Sequence, residues 1–207
     1  MTKETTSERI CTVALQLLDE FADPTEISMR RIAVKIGITP MALYKHFENR
    51  ETLLEAAISS EYKRLGQYFE RANKRAGKGL KGMLGYLEYA VDHPNLFRYL
   101  FAARRNNAYR YPEDLNSGRS PTLSILHDVV RTAMAQRRLR EDDVFEVSLA
   151  IWAHAHGLVM LYLSGRIHLP QDDFAKLYVR SLDRLLHGLE AVQVQPPSES
   201  PVQATSG

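Results

Sequence analysis

The sequence is short of the residues that disulfide-built folds and most enzymes lean on. One cysteine, Cys11, stands in 207 residues. An internal disulfide framework is therefore excluded, and a reducing compartment fits. No nucleophile, base or metal-ligand set is gathered, because Cys11 stands alone and the histidines are scattered. His154 and His156 are two apart, which points them different ways on a helix, and the H-E-x-x-H spacing of a zinc helix is absent. Neither enzymatic chemistry nor a cofactor or metal is expected. The opening segment MTKETTSERI lacks an apolar h-region, so secretion is not expected and the cytoplasm is. An excess of one charge sign is lacking too, with a formal net charge of +2.

What is there is the composition of a soluble globular protein, 44% hydrophobic and 25% charged, with length enough for one or two domains and a real core. The positive charge is unevenly placed. Between Ser28 and Arg50 five basic residues (Arg30, Arg31, Lys35, Lys45, Arg50) stand against one acid, Glu48. That gathering on one short element is what phosphate contacts require.

The same stretch, SMRRIAVKIGITPMALYKHFENR, reads as two short helices and a turn. Met29, Ile32, Ala33 and Ile36 recur at steps of three and four, so one stripe faces a core. Gly37 stands where a helix end needs positive φ. Thr39-Pro40 supplies a fresh N-cap followed by proline at the first helical position. Leu43 and Phe47 give the second helix its buried face, leaving Met41, Tyr44 and Lys45 turned elsewhere. Two short helices around a glycine turn are the helix-turn-helix signature, and the second fits a DNA major groove.

Gly37-Ile38-Thr39, the run from Leu43 to Glu51, and Leu53-Leu54 resemble the DNA-binding domain of the TetR family of bacterial repressors, over about Glu8 to Ile58. The resemblance implies double-stranded operator DNA as partner, with roles the chemistry can bear. Thr39, Pro40 and Met41 would meet base edges, Thr39 by a hydrogen bond and Met41 by contact with a thymine methyl. Pro40 cannot read a base by hydrogen bonding. Tyr44 and Lys45 suit backbone phosphates. His46 suits a phosphate, or equally a cap or packing role. Asn49 reads as the N-cap of the next helix, whose free amides favour a phosphate, and Arg50 adds charge there. Ser28 and Arg30 would cap and flank the first helix.

Along the rest of the chain, Thr5 and Glu8 form a capping box for a first helix with Ile10, Val13, Ala14, Leu17, Leu18 and Phe21 inward. Cys11 lies beside that stripe as a small hydrophobe. Residues 1–6 form a flexible arm with Lys3 as its one basic group. From Glu51 a helix runs to about Arg75. The basic stretch Lys63 to Lys81 reads as a solvated helix end, with a second DNA contact as the alternative. Gly77, Gly79, Gly82 and Gly85 loosen the chain and mark the hand-over to a larger domain. Leu80 to Val91 is helical until His93-Pro94, and Asn95 to Ala103 is a short aromatic helix. A polar loop follows from Arg104 to Arg119. Ser120-Pro121 opens the next helix in cap-then-proline style.

Glu141-Asp142-Asp143 opens a helix with negative charge at its N-terminus. From Val147 to Leu163 there is no charged residue, a run long enough to span a membrane. Its histidines and glycine in a soluble chain read instead as a helix buried on nearly all sides, with no membrane partner. Trp152, His156 and Gly157 resemble the tryptophan-histidine-glycine type of C-terminal ligand-binding domain in one TetR branch, over roughly Gly79 to Leu189. Trp152 and His156 share a face, and a core role and a ligand-contacting role both fit. Phe174, Leu177, Tyr178, Ser181, Leu182, Leu185 and Leu189 are spaced as a seam, and the family resemblance implies a homodimer through a four-helix bundle.

The expected fold is all-α: a three-helix helix-turn-helix domain within residues 1–58, a ligand-binding and dimerisation bundle over 59–190, and a disordered Pro- and Ser-rich tail, 191–207. The expected function is a TetR-like regulator, a repressor released from a palindromic operator by a small, mostly apolar effector. Tyr86, Tyr89, Phe97, Phe101, Trp152, His156 and Tyr162 are its candidate contacts. A helical interaction module would share the helices, but it would not need basic charge and a tyrosine gathered on one helix-turn-helix.

Overall fold

The chain folds from Thr5 in the way its capping box anticipates. Thr5 Oγ1 accepts the Glu8 amide at 3.2 Å, and the Glu8 carboxylate accepts the Thr5 amide at 2.7 Å. This sets helix α1, Thr6–Glu20, with Ile10, Ala14, Leu15, Leu17 and Leu18 buried. The computed structural model describes residues 5–21, 23–76, 82–102, 108–117, 120 and 122–190. Residues 1–4 of the expected 1–6 arm, the tail 191–207, Gly77, Gly79, Pro121 and parts of the polar loop (104–107, 118 and 119) lie outside these residues, while Thr5 and Thr6 of that arm are the cap and first residue of α1.

A 3-10 turn, Pro24–Glu26, leads to α2, Met29–Ile36, and α3, Pro40–Tyr44. Both are capped as their sequences require. Ser28 Oγ accepts the Arg31 amide at 3.1 Å, and Thr39 Oγ1 accepts the Ala42 amide at 3.2 Å. Between them Gly37 takes φ +80°, the left-handed turn that an L side chain resists. Helix α4, Arg50–Ala76, is one 27-residue rod, about 40 Å long at 1.5 Å per residue. It crosses position 58 without a break, so the DNA-binding module and the bundle share a helix.

The second half comprises α5 (Met83–Asp92), α6 (Pro94–Phe101), the single turn α7 (Glu113–Asn116), α8 (Leu123–Ala135), α9 (Val144–Leu163) and α10 (Gln171–His187). The described residues contain no strand, only an isolated bridge between Leu139 and Glu190. Helix α1 packs on α2, α4 and α6; α5 packs on α4, α6, α9 and α10. A polar contact reinforces the α1–α6 junction: His93 Nδ1 lies 2.6 Å from Asp19 Oδ2, and Asn95 donates to the Asp19 carbonyl at 2.8 Å.

Four sequence expectations change. Gly85 does not loosen the chain. It sits inside α5, where an added Cβ would come within 2.4 Å of the Tyr68 carbonyl oxygen, so its missing side chain lets α5 lie against α4. Ser120 is not a helix cap. It is fully buried, its hydroxyl 2.9 Å from that of Tyr111, and α8 begins only at Leu123. Helix α9, uncharged from Val147 onward, is not buried on nearly all sides, since only 28% of its most apolar stretch is buried in its own chain. Leu149 and Leu161 are exposed on it. Among the described residues it is also the one helix long and apolar enough to cross a membrane. Finally, the stripe on α10 is split. Phe174, Tyr178 and Leu182 are buried in their own chain, Tyr178 donating to the Met83 carbonyl at 3.0 Å, while Leu177, Ser181 and Leu185 are half-buried.

Candidate nucleic-acid interface and effector cleft

Helix α3 is held by one fully buried side chain, Leu43, with half-buried Phe47 just beyond its end. Apart from half-buried Ala42, the rest of it faces out. Thr39 and Pro40 are exposed, as are Met41 (73%), Tyr44 (51%) and Lys45. Thr39 Oγ1 accepts the Ala42 amide as its own helix cap, which leaves its O–H to donate and one lone pair to accept outward. The first turn of α3 carries few hydrogen-bonding side chains and much apolar surface, with Val34 of α2 also exposed.

The five cations do not act as one patch. Arg31 pairs with Glu26 at 3.2 Å and lies over the Phe21 ring, and Lys35 pairs with Glu20 at 2.8 Å. Arg50 turns inward: its guanidinium donates to the carbonyls of Ile27, at 2.5 Å, and Pro24. Pro24 opens the 3-10 turn and Ile27 closes it, so Arg50 pins that turn to the start of α4. Arg30 and Lys45 are exposed and, among the described residues, make no ion pair. Net attraction for phosphate is thus concentrated on these two.

His46 is exposed, its Nδ1 3.1 Å from Ser7 Oγ, which ties the turn after α3 to the first turn of α1. Asn49 caps α4 as expected, its Oδ1 accepting the Thr52 amide at 2.9 Å. The amides of Arg50 and Glu51 remain at that positive end.

The seven candidate effector residues divide into three groups. Tyr86 and Trp152 line a cleft bounded by α4, α5, α8 and α9. Phe97, Phe101 and His156 back it as one aromatic cluster: Phe97 stacks on His156 at 5.6 Å, and Phe101 lies 5.4 Å from Tyr86 and 6.2 Å from Trp152. Tyr89 and Tyr162 lie elsewhere. Tyr89 donates to the buried Glu61 carboxylate at 2.9 Å, and Tyr162 stacks flat on Phe174 at 4.0 Å.

A hydrogen-bonded relay crosses the cluster. Trp152 Nε1 can only donate, and it gives its proton to Tyr86 Oη at 3.1 Å. Tyr86 Oη lies 3.0 Å from His156 Nδ1, and because that oxygen already accepts from Trp152, its own proton is free to go to the imidazole. Burial lowers the His156 pKa below its ordinary 6.5 and raises that of Tyr86 well above 10.0, so both rings are neutral at physiological pH. Sequence reasoning missed Phe69, Met83, Leu123 and Leu126, which form the apolar walls, and Tyr111 and Thr122, which supply hydroxyls. The free space is about 20 Å³, room for one water molecule. An effector must therefore make its own space.

Two family descriptions match the chain. Residues 81–186 match "Tetracyclin repressor-like, C-terminal domain", and residues 13–57 match "Bacterial regulatory proteins, tetR family". The first description does not name the tryptophan-histidine-glycine type. The nucleoid occlusion factor SlmA of Sodalis glossinidius is 24% identical over 157 residues, 73% of this chain and 77% of that one. The fold is similar to that of a TetR-family transcriptional regulator from Pectobacterium atrosepticum (TM-score 0.66, 19% identity, 92% of this chain and 95% of that chain). It is equally similar to a protein of unknown function from Rhodococcus sp. RHA1 (TM-score 0.67, 23% identity, 87% and 95%).

Proposed function

Since the chain belongs to the TetR family of transcriptional regulators, we propose that it is a cytoplasmic, homodimeric repressor that leaves a palindromic operator when a small uncharged molecule enters the α5–α9 cleft. The observation that carries the reading is α3 itself, anchored by Leu43 alone and presenting Met41, Tyr44 and Lys45 outward. In the major groove its first turn would meet base edges, and Met41 would read thymine methyls. Tyr44 and Lys45 would hold phosphates, joined by Arg30 and by the amides that open α4. His46 and Arg50 would act by fixing the module's shape, His46 through Ser7 and Arg50 through the 3-10 turn.

Dimerisation is supported by the uncovered apolar side of α9 and the half-buried Leu177, Ser181 and Leu185 of α10. A second copy would bury both. Release would follow from the ligand's preference for one of two states. The cleft has to open to admit it, and α6 carries two rings of the aromatic cluster at one end while touching Asp19 of α1 at the other. Recovering bound genomic fragments and footprinting them tests the proposal. Two protected major-groove segments related by a dyad, about one helical turn apart, are expected. Trp152→Ala should leave that footprint and blunt its release. An absent footprint, or one without dyad symmetry, contradicts the proposal.

A further inference from the structure

Among the described residues, no formally charged side chain lines the cleft. An ionised ligand would give up its hydration there with no counter-charge to replace it. The polar groups of its described lining are few: the Trp152 indole N–H, which donates to Tyr86, and the hydroxyls of Tyr86, Thr122 and Tyr111. The walls are otherwise aromatic or aliphatic, a lining that fits a flat apolar molecule with one polar group.

Tyr111 is unlike the other lining residues. It comes from the turn just before α7, not from a long helix. It is half-buried, its ring meets Trp152 edge-on at 5.8 Å, and its phenol reaches the buried Ser120 hydroxyl at 2.9 Å. It thus combines an aromatic ring against the sole tryptophan with one hydrogen-bonding group aimed at a buried polar atom. The remaining space is too small for a second ring.

Resting on the effector reading above, we infer that the cleft takes an uncharged aromatic molecule with one hydroxyl or carbonyl group, and that the phenol of Tyr111 occupies that molecule's place in the empty protein. The entering ring displaces Tyr111 outward, packs against the edge of Trp152, and its polar group inherits the hydrogen bond to Ser120. The effector then competes with a tethered copy of its own chemistry. That competition weakens its apparent binding by the population of the open form.

p-Cresol is the Tyr111 side chain detached from the backbone, and it makes the direct probe. Binding to the full-length chain is followed by calorimetry and by Trp152 emission, the only tryptophan signal present. Tyr111→Ala is expected to bind p-cresol about tenfold more tightly than the wild-type protein, where the tethered ring competes. p-Hydroxybenzoate, which adds an ionised carboxylate to the same ring, is expected to bind both proteins at least about tenfold more weakly than p-cresol. Equal affinity for the two probes overturns the uncharged class. Equal p-cresol affinity in variant and wild type overturns the displaced ring. If Tyr111→Ala fails to fold cooperatively, Tyr111→Leu carries the same comparison with an apolar chain in place of the ring. These readouts do not involve DNA, so a p-cresol complex that keeps full operator affinity supports this inference while contradicting effector-driven release.

Discussion

At the scale of single residues, the cations of the helix-turn-helix divide between shape and contact. Arg50 lies in the stretch where sequence suggests a phosphate ligand, but its fork is occupied by two carbonyls of the preceding turn. Arg50→Ala should therefore lower folding stability by about 2 kcal/mol, the scale of charge-assisted hydrogen bonds lost from a partly buried site. Arg50→Lys should recover little of it, because an ammonium cannot serve two fixed acceptors as the planar fork does. Thermal unfolding without DNA is the measurement, and an unchanged midpoint would restore Arg50 to the DNA contacts. His156 carries the reverse lesson, since burial favours its neutral form beside the Tyr86 hydroxyl. Its folded pKa lies below the ordinary 6.5, so the unfolded chain binds the proton first as pH falls. The stability linked to this group is complete above about pH 6.5 and is lost on acidification toward the folded pKa. His156→Gln should flatten that part of the stability–pH profile between about pH 7 and 5; an identical slope in both proteins would show that His156 does not contribute.

At the scale of elements, helix starts were legible because caps are local chemistry. Thr5, Ser28, Thr39, Asn49 and Asp143 each accept the amide three residues on, and each position can be read from the sequence alone. The sides that helices turn to one another were less legible, because they depend on partners distant in sequence. Phe174 and Tyr178 share a stripe with Leu177 and Leu185, yet only the first pair is buried in its own chain. Tyr111 and Phe69 reach the cleft between α4, α5, α8 and α9 from segments whose local pattern says nothing about a pocket. Gly85 shows the same limit. Flanking glycines make it look like a chain break, whereas it is the point where α5 touches the backbone of α4. Gly85→Ala should thus destabilise the fold by about 1–3 kcal/mol through overpacking, despite the better helix propensity of alanine. Denaturant unfolding checks this, and a neutral or stabilising result would mean that the α4–α5 contact is looser than described.

At the scale of the whole molecule, one hydrophobic core runs from α1 to α10, and α4 belongs to both halves. A protein built in this way does not need a hinge between reading head and effector site. On the proposed function, a change in how α6 sits against α1 and α4 would alter the angle at which α3 is presented, and in the proposed dimer the spacing of two such helices. The apolar outer side of α9 supplies the surface on which that spacing would be set. The DNA-facing role of α3 is the premise for all of this, and the cations left free to serve it are few. Salt dependence of binding to duplex DNA, measured for the wild type and for Lys45→Ala, tests it most directly. The account predicts a steep linear loss of log affinity with log salt for the wild type. For the variant it predicts a slope shallower by about two, because a dimer loses one phosphate contact in each half-site. Unchanged slopes would contradict the placement of Lys45, and salt-independent binding would contradict the helix-turn-helix as the DNA-facing element.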